Sequence, residues 1–578
     1  MLILKLITTK QLYGKGNYLM KYQAIFVALI VFFAFSGSAW SLDVEVSKSG
    51  TVKTIQQAID QIGVQGGTIT ITDSGVYEET VWIGDEMERS GQPITITSPF
   101  SGDARPVISP LDALGPFVEA QRADRKAGVA IFTDGCVLSN VILEGNPDAN
   151  GQTGNGSCAM FVHADNVIID NVLVRPRAGT VGETNYPNSA IFFAQEGAGE
   201  SARPGGRNCD NCIVRNCDFI GVATDGQTEP SNEGTGYLIS KENGQFATFL
   251  RTDHFTNNDS QMVDITVENC TFRYSYDAGI FFSNRAGGAG RVTLNVRDCF
   301  FDAHGKFQIG MRGCWLNVDR CIFSRACQGP HGDGENAAIR IQEQNGRIPD
   351  ADISNSLFVN CGSGYSQRAY YGGVNNHNGG TVNVNHCTFD LCLSGVTLNS
   401  PRAESVLNVS NCIFNRIGYN AAPASYFDGL PPTDEDPFVL WYSPNFQTGT
   451  QISAVFNNFR DTGIGELNVT NCIVYDIAEE DSGEYLPGDP PLGTRLAAGE
   501  VTMTGVTRAE PIFVNMDYTA EHPYELAAGS PGIDQAVAAL PAAGDLDLDR
   551  TPRVVGSVAD MGAQEFGSIT SIREWSVY

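Results

Sequence analysis

A six-residue pattern of apolar and polar positions returns along this chain. It consists of a β-branched residue, any residue, a polar residue that is usually Asn, then usually Cys, any residue and an apolar residue. Full copies occur at Val214–Phe219, Val267–Phe272, Val296–Phe301, Val384–Phe389, Val409–Phe414 and Val469–Val474, and weaker copies without Cys at Leu138–Leu143, Ile169–Val174 and Ile353–Phe358. A unit repeated at intervals of roughly 20 to 35 residues cannot bury its apolar face alone. The pattern therefore predicts one elongated stack of similar coils.

Each coil is predicted to contain three short strands. The residues before the Asn form the first strand and those after the Cys the second, with a bend between them; a loop of variable length then leads to a third strand that often begins with Gly or Ala. The predicted third strands are 159–163, 190–194, 279–283, 307–311, 338–342, 373–377 and 395–399. Three parallel strands per turn form a solenoid in which only the terminal strand edges are unpaired. The fold class predicted is all-β.

One short helix is predicted before the first coils. Thr54–Gln57 has the form of a capping box, and Ile55, Ala58, Ile59 and Ile62 keep helical spacing before Gly66. Terminal repeats of a solenoid must shield its apolar interior from water. We therefore expect this amphipathic helix to close the N-terminal end of the stack.

Two long stretches interrupt the repeat, at residues 221–259 and 419–465. Long loops over a repetitive body often carry binding elements. The alternative is disordered decoration, and the sequence supports both interpretations equally.

The chain has 15 cysteines, and seven of them occupy one position of the repeat: Cys217, Cys270, Cys299, Cys321, Cys387, Cys412 and Cys472. Equivalent positions of adjacent coils lie about 4.8 Å apart with parallel side chains, so these thiols are expected to stack as a buried ladder rather than to form disulfides. Cys209 and Cys212 have zinc-like spacing, but no second pair follows. A loop disulfide or two free thiols is the expectation there.

The N-terminal 41 residues are predicted to be a leader and secretory signal peptide. An apolar stretch from Ala24 to Phe35 follows Lys21 and precedes small residues around Ala39. Met20 would be the start of a signal of ordinary length. The mature chain, with a β-helix domain over 42–566 and a tail over 567–578, is expected to be secreted, periplasmic or on the cell surface. No later stretch is long and apolar enough to be a membrane anchor.

The charge excludes two classes of partner. With 37 basic and 66 acidic residues the chain has a formal charge of −29, which opposes encounters with nucleic acid and anionic lipid. An anionic polysaccharide would be repelled as well, unless basic side chains cluster locally or a cation bridges the two.

The sequence resembles the right-handed parallel β-helix proteins of the pectin lyase-like superfamily, from Val44 to Phe566. Its opening, Thr54–Ile59 with Gly75–Glu79 downstream, is similar to the first coil of many pectinesterases and pectate lyases. Its C-terminal part is similar to the terminal segment of many bacterial secreted β-helix proteins. The residues of this chain that show the similarity are Pro511–Phe513, Gly529–Asp534, Asp547–Asp549, Arg553 and Asp560–Glu565. The resemblance implies a right-handed coil and says little about chemistry.

The resemblance also implies a substrate groove along the third strands. Strand alternation places Ile191, Ile280, Ile339 and Val396 inward. The outward positions, expected to bind sugar rings and hydroxyls, are Phe161, His163, Phe192, Phe281, Ser283, Gln308, Arg340, Gln342, Asn375, His377, Thr397 and Asn399. A solvated face covered by the long loops is the alternative interpretation.

Potential catalytic residues concentrate around Arg340. The preceding loop supplies His331, Asp333 and Glu335, the coil before it Asp302 and His304, and the coil after it His377. A lyase of this superfamily needs a base at C5 of the sugar and a cation or bound calcium at its carboxylate, whereas a hydrolase needs paired carboxylates. We predict Arg340, His377, Asp333 and Glu335 as the catalytic group.

Several motifs of characterised relatives are missing. The chain has Pro330–Gly332 and Ile339–Ile341 where polygalacturonases have Gly-His-Gly and Arg-Ile-Lys, and the motif around the catalytic aspartates of pectinesterases is absent. Asp545–Asp549 resembles the start of a calcium loop, but Gly556 replaces the bidentate acid. Pairing of these aspartates with Arg550 or Arg553 is the better prediction, and Ca²⁺ is a cofactor only as far as the superfamily implies it.

The sequence thus predicts a secreted β-helix protein that binds a polysaccharide and cleaves it as a lyase or glycosidase. The competing interpretation is a non-catalytic cell-surface or extracellular matrix scaffold. The glycan itself is not predicted.

Overall fold

The computed structural model describes eighteen segments of the chain. These are residues 41–84, 91–110, 126–145, 157–177, 189–193, 209–222, 246–254, 262–284, 291–327, 337–362, 372–392, 394–399, 403–417, 455–458, 465–477, 501–536, 546–554 and 558–567. The predicted signal peptide and C-terminal tail lie almost wholly outside them. Among the described residues, no helix reaches the length and hydropathy that a membrane crossing requires.

The described residues form three parallel sheets, which we number in the order in which the chain visits them within a coil. Sheet 1 has 14 strands: Leu42–Val46, Gly67–Ile71, Ile94–Thr97, Val137–Ser139, Ile168–Asp170, Cys212–Arg215, Met262–Glu268, Arg291–Arg297, Trp315–Asp319, Ala351–Ser354, Thr381–Asn385, Val406–Ser410, Glu466–Thr470 and Val501–Thr504. Sheet 2 has 12 strands: Val76–Tyr77, Val107–Ile108, Ile142–Gly145, Leu173–Pro176, Asp218–Ile220, Thr271–Arg273, Phe300–Asp302, Ile322–Ser324, Leu357–Val359, Thr388–Asp390, Ile413–Ile417 and Ile473–Ile477. Sheet 3 has 11 strands: Val81–Ile83, Lys126–Ile131, Ser157–Val162, Ser189–Phe193, Thr248–His254, Ala278–Asn284, Phe307–Arg312, Ile339–Gln342, Val374–His377, Val396–Asn399 and Val455–Asn458.

Successive coils stack in register, so equivalent residues form columns. In sheet 1, Val214 pairs with Val267 and Val267 with Val296. Inside sheet 2, seven phenylalanine rings stack with centroid separations of 4.6 to 5.0 Å: Phe219, Phe272, Phe301, Phe323, Phe358, Phe389 and Phe414. The apolar residues of the repeat therefore form the core, as the stacked-coil prediction requires.

The polar residue of each repeat lies at the bend between sheets 1 and 2. Asn171, Asn216, Asn269 and Asn411 all have φ between 52° and 54°, a left-handed conformation that Asn tolerates better than most residues. Their carboxamides bond along the column; Asn269 Nδ2, for example, donates to Asn216 Oδ1 over 2.7 Å. The repeated Asn is thus required by backbone geometry.

The cysteine ladder is confirmed. All 15 cysteines are buried and free. In the ladder, Cys270 Sγ lies 3.2 Å from the carbonyl oxygen of Glu268 and Cys299 Sγ 3.2 Å from that of Arg297. Cys209 and Cys212 are also free thiols, within 3.3 Å of carbonyl oxygens of the preceding coil.

The predicted helix is present at Ile55–Ile62 and is followed by a 3₁₀ turn, Gly63–Gln65; a second 3₁₀ turn lies at Gly102–Ala104. The Thr54 hydroxyl accepts from Gln57 N over 3.1 Å. The helix packs its buried isoleucines on the first strands of sheets 1 and 3, which closes the N-terminal end of the core.

Both long interruptions contain a strand, which the sequence analysis missed. Thr248–His254 lies within the first and Val455–Asn458 within the second, and each joins sheet 3. These stretches are therefore parts of coils as well as loops, and the first of them adds Arg251 to the outer face of sheet 3.

The described C-terminal residues 511–536, 546–554 and 558–567, which we call the C-terminal segment, lie across the outer face of sheet 2. Two apolar clusters join them to that face: Phe300, Ile322, Leu357 and Val359 with Tyr524, Leu548 and Ala563, and Ile413 and Ile473 with Leu526 and Met561. Polar contacts add to these. Ala563 N donates to Thr388 Oγ1 over 3.0 Å, and the Tyr524 hydroxyl donates to the buried Asp390 carboxylate.

Asp547 stabilises a turn of the C-terminal segment. Asp547 Oδ1 accepts from Asp549 N and Thr551 N over 3.0 and 2.8 Å. Arg550 pairs instead with Asp298, 3.1 Å away, and Arg553 lies 3.7 Å from Glu565. Asp547 also interacts electrostatically with Arg553. The predicted pairing therefore holds in part for Arg553, whereas Arg550 binds Asp298 instead.

Candidate functional site

Two columns of residues run along the outer face of sheet 3. Register places Phe161, Phe192, Arg251, Phe281, Gly310, Arg340, Asn375 and Thr397 in the first column. It places Asp253, Ser283, Arg312, Gln342, His377 and Asn399 in the second. The inward residues Ile191, Ile280, Ile339 and Val396 belong to the core, as predicted.

Four cationic side chains converge on two stacked rings in the middle of this face. The rings of Phe281 and Phe307 are stacked with centroids 6.5 Å apart. Around them, measured from the charged group to the ring centroid, lie Arg251 and Arg312 at 5.9 and 5.2 Å from Phe281, and Lys306 and Arg340 at 5.0 and 5.4 Å from Phe307. We call these six residues the arginine cluster. Cations over aromatic faces are held in place without losing their charge.

Gly310 makes room for the cluster. A Cβ atom at this position would lie 2.9 Å from Phe281 and 3.0 Å from Phe307. Every larger residue would therefore press on both rings. Because Gly310 stands between Phe281 and Arg340 in the first column, its missing side chain lets groups from the coils on either side approach one another.

The coils beside the cluster contribute neutral polar groups. Asn375 is fully buried, and neither its Nδ2 nor its Oδ1 has a hydrogen-bond partner among the described residues. The same holds for Ser283 Oγ and Gln342 Oε1. Buried polar groups without partners are uncommon in folded proteins and call for an explanation at each site.

His377 is electrically neutral at ordinary pH. Burial, followed by the positive charges of Arg340 and Arg312, lowers the pKa of His377 to about 3. The imidazole therefore has a free electron pair for a proton, but the adjacent guanidinium groups keep the pKa low. An anion bound between the two arginines would raise this pKa, because it would cancel their repulsion of the imidazolium form.

The N-terminal part of the face carries an aromatic cluster. Phe161 and Phe192 are stacked with centroids 6.0 Å apart, and Phe132, Trp82 and the edge of His163 pack beside them. Phe161 and His163 are fully buried and Phe192 is nearly so. The three residues lie on the predicted side of the sheet, but they form a packed apolar layer and not an open stacking platform.

Three residues expected near Arg340 lie elsewhere. Gln308 points inward, where its Nε2 donates to the carbonyl oxygens of Phe301 and Ser324. Asp302 belongs to sheet 2 and binds Arg325 at 2.6 Å. His304 is fully buried with its Nδ1 2.7 Å from Ser275 Oγ. These predictions were wrong because the chain turns between sheets 2 and 3 at these positions.

Part of the predicted catalytic group lies outside the described residues. The residues outside are Asp333 and Glu335, together with the neighbouring His331. The side chain of Asn399 is also not described, although its backbone pairs with His377. Arg340 and His377 are brought close enough for their charges to interact. The roles of all predicted site residues therefore stay predictions.

Four members of the site were not predicted from the sequence: Arg251, Arg312, Lys306 and Phe307. Arg251 was assigned to a loop, and Arg312 follows the end of the predicted third strand by one residue. The pattern of alternate positions, extended by one step past Met311, would have placed Arg312 beside Gln342, which is its partner in the structure.

No metal site is indicated by these groups. The described residues contain no cluster of His, Cys, Asp and Glu side chains suited to hold a metal ion. Among the side chains that the structure describes, those that face outward near Arg340 are cationic or neutral, and such groups do not fit Ca²⁺, which prefers carboxylate and carbonyl oxygens.

Comparisons with known proteins found similar solved structures only at low identity. No protein-family profile matches the sequence, and no curated protein matches it. Among solved structures, pectate lyase Pel9A is 11% identical, with 91% of this chain and 98% of that chain covered at a TM-score of 0.38. The Streptococcus pneumoniae surface protein and adhesin PfbA is 12% identical, with 65% and 97% covered at 0.35. A mutant tailspike protein of E. coli bacteriophage HK620 in complex with a pentasaccharide is 13% identical, with 75% and 71% covered at 0.33.

At these identities and TM-scores, no activity is transferred from the matched proteins. The fold follows from the chain's own strand order, with three parallel sheets and one strand of each sheet in almost every coil. The described residues therefore form a parallel β-helix of three sheets.

Proposed function

We propose that the protein binds an acidic polysaccharide along the outer face of sheet 3. The observation that supports this most directly is the arginine cluster, in which three guanidinium groups and one ammonium group surround two stacked rings. In a chain with a net charge of −29, such a concentration of cations creates a local positive field, and a field of this kind attracts an anionic ligand. The condition for binding an anionic polysaccharide to so acidic a protein is a local basic cluster, and this face has one.

The neighbouring groups suit the rest of a sugar chain. Guanidinium groups form bidentate hydrogen bonds with carboxylates and sulfates. The unpartnered atoms of Ser283, Gln342 and Asn375 offer donors and acceptors to hydroxyls. The columns repeat every 4.8 Å or so along the solenoid, so an extended polymer parallel to the axis can use several coils at once.

Removing one guanidinium group is expected to weaken binding of a uronate polymer by about ten- to a hundredfold, because a hydrogen bond to a charged group contributes roughly 1.5 to 3 kcal/mol. The variants are Arg312→Gln and Arg340→Gln, and binding is measured by calorimetry with a polyuronate at two salt concentrations. Wild-type affinity should also fall as salt rises.

A matched control lies on another sheet. Arg291 is 5.0 Å from the Trp315 ring centroid on the outer face of sheet 1, so Arg291→Gln makes the same change of charge at a similar contact. The affinity of Arg291→Gln for the polyuronate should stay close to that of the wild type. Equal losses in all three variants would mean that net charge alone governs binding, and unchanged affinity in Arg340→Gln would refute the proposed site.

We further propose that the bound polymer is cleaved, with His377 as the base of an elimination. A carboxylate held by Arg312 and Arg340 would raise the pKa of His377 from its low value, and a base is most effective when its pKa lies near the working pH. The imidazole would then take the C5 proton, the C4–O bond would break as a double bond forms between C4 and C5, and the leaving oxygen would take a proton from the imidazolium or from water.

His377→Asn is expected to lower turnover by at least about a hundredfold while polymer binding persists. The measurement is the ultraviolet absorbance of unsaturated uronate ends, beside an assay of new reducing ends. His522→Asn, a partly exposed histidine on the C-terminal segment, is the control. New reducing ends without unsaturation would indicate a hydrolase using Asp333 and Glu335, which Glu335→Gln would test, and binding without either product would favour the non-catalytic surface scaffold.

A further inference from the structure

The cationic positions on sheet 3 end abruptly on both sides. In the first column Arg251 follows Phe192, and Arg340 is followed by Asn375 and then Thr397. The cations thus lie within a span of four consecutive coils, from the strand Thr248–His254 to the strand Ile339–Gln342, and only the coil of Ala278–Asn284 contributes none. Three steps of about 4.8 Å give this charged window a length of roughly 14 Å.

The coil after the window is neutral and has unfilled hydrogen-bonding capacity. Asn375 is 0% exposed and has a donor and an acceptor without partners. A carboxamide presents N–H and C=O side by side, and this arrangement complements two adjacent hydroxyls of a sugar ring. The same group does not neutralise a carboxylate, and His377 beside it is uncharged because of its low pKa.

The coils before the window are apolar. Phe192 and Phe161 stack there under nearly complete burial. An acidic sugar placed on either flank would meet no cation from the described columns and would add its charge to a protein that is already strongly negative. Only the middle of the face therefore favours an anion.

We infer that the ligand is a mixed heteropolysaccharide, in which an acidic residue bound by the arginine cluster is followed by a neutral sugar whose adjacent hydroxyls bind the carboxamide of Asn375. This inference rests on the proposed function, because it assumes that the same face binds the polymer. It restricts the ligand class to polymers whose acidic groups are separated by neutral residues and excludes uninterrupted polyuronates as the preferred ligand.

The experiment compares two probes of equal length with the full mature chain. One is a hyaluronan oligosaccharide, in which glucuronate alternates with a neutral N-acetylhexosamine, and the other is an oligogalacturonate, in which every residue is acidic. The alternating probe is expected to bind about tenfold more tightly. Asn375→Ala should remove most of that difference without changing the fold, because Asn375 has no protein hydrogen bond to lose. Asn375→Ser repeats the test if the alanine variant misfolds.

The outcomes separate this inference from the proposed function. Equal or tighter binding of the oligogalacturonate, still weakened by Arg340→Gln, would overturn the mixed-polymer inference and leave acidic-polysaccharide binding intact. An alternating-probe preference that survives both Asn375 variants would overturn the role of Asn375. No binding of either probe would overturn both proposals.

Discussion

Acidification from about pH 7 to about pH 4 is expected to lower the free energy of unfolding by roughly 6 kcal/mol, a large part of the 5–15 kcal/mol typical of proteins. The cause is a set of buried histidines that are neutral in the fold. Burial lowers the pKa of His304 and of His377 to about 3, and burial with the charge of Arg553 lowers the pKa of His386 well below 6.5.

The direction follows from proton binding. Between pH 6.5 and about 3 the unfolded chain binds protons at His304 and His377 and the folded chain does not, and His386 acts in the same direction. Their contribution is therefore fully present above pH 6.5 and is lost as the pH falls. Each histidine accounts for about 1.4 kcal/mol per pH unit. Glu565 acts in the opposite direction, since burial raises its pKa to about 8, and this reduces the net loss. Urea denaturation at a series of pH values measures the slope.

One histidine can be removed with little structural change. His386 occupies the bend position that is Asn in other coils, with a φ of 51°. His386→Asn should therefore preserve the backbone conformation. It should reduce the loss of unfolding free energy on acidification by about 1.4 kcal/mol per pH unit. His522→Asn should instead make the loss of stability on acidification steeper. The pKa of His522 is raised by Asp549 despite partial burial, so this histidine stabilises the fold as the pH falls. A stability that does not change between pH 7 and 4 would contradict the burial of neutral imidazoles.

Asp390→Ala is expected to destabilise the protein by about 3 kcal/mol, because removing one partner of a buried ion pair leaves the other uncompensated. Asp390 is fully buried on the outer side of sheet 2. It accepts from Asn415 Nδ2 at 3.0 Å, from Arg416 Nε at 2.8 Å and from the hydroxyl of Tyr524 in the C-terminal segment. Burial and this carboxylate together raise the pKa of Tyr524.

Glu268→Ala provides the comparison. Glu268 also links adjacent coils through an arginine, but its partner Arg297 is 53% exposed, and exposed pairs contribute about 0 to 1 kcal/mol. Denaturation curves give both values, and limited proteolysis should cut the C-terminal segment faster in Asp390→Ala alone. Equal effects of the two substitutions would mean that Asp390 does not fasten the segment.

The coil architecture is predictable because its causes are local and repeated. A left-handed bend favours Asn, a stacked interior favours Phe and Cys, and each coil restates these requirements. The Gly and Ala residues that begin the third strands also have a local cause: a Cβ at Gly373 would lie 2.7 Å from the Phe389 ring, since the chain there presses on the phenylalanine stack.

The site was harder to predict because its members are exceptions to the repeat. Gln308 stands where other coils have Gly279 or Gly373, and its long side chain turns inward to satisfy two carbonyl groups. Alternation counted from the sequence therefore placed it on the wrong side. Arg251 was missed because its strand, Thr248–His254, begins with neither Gly nor Ala and has no Asn-Cys repeat close before it. Convergence of residues from four coils is a property of the stack and is not visible in any single repeat.

The path of the C-terminal segment has a consequence for how the molecule unfolds. In a solenoid each unit contacts its nearest neighbours, so such arrays lose their ends first and unravel stepwise. Here Arg550 reaches Asp298, 252 positions away in sequence, while Ala563 binds Thr388 and Leu526 packs on Ile473. The C-terminal segment thus links coils that are far apart in the stack. The C-terminal half should therefore unfold in one cooperative transition instead of fraying from its last coil.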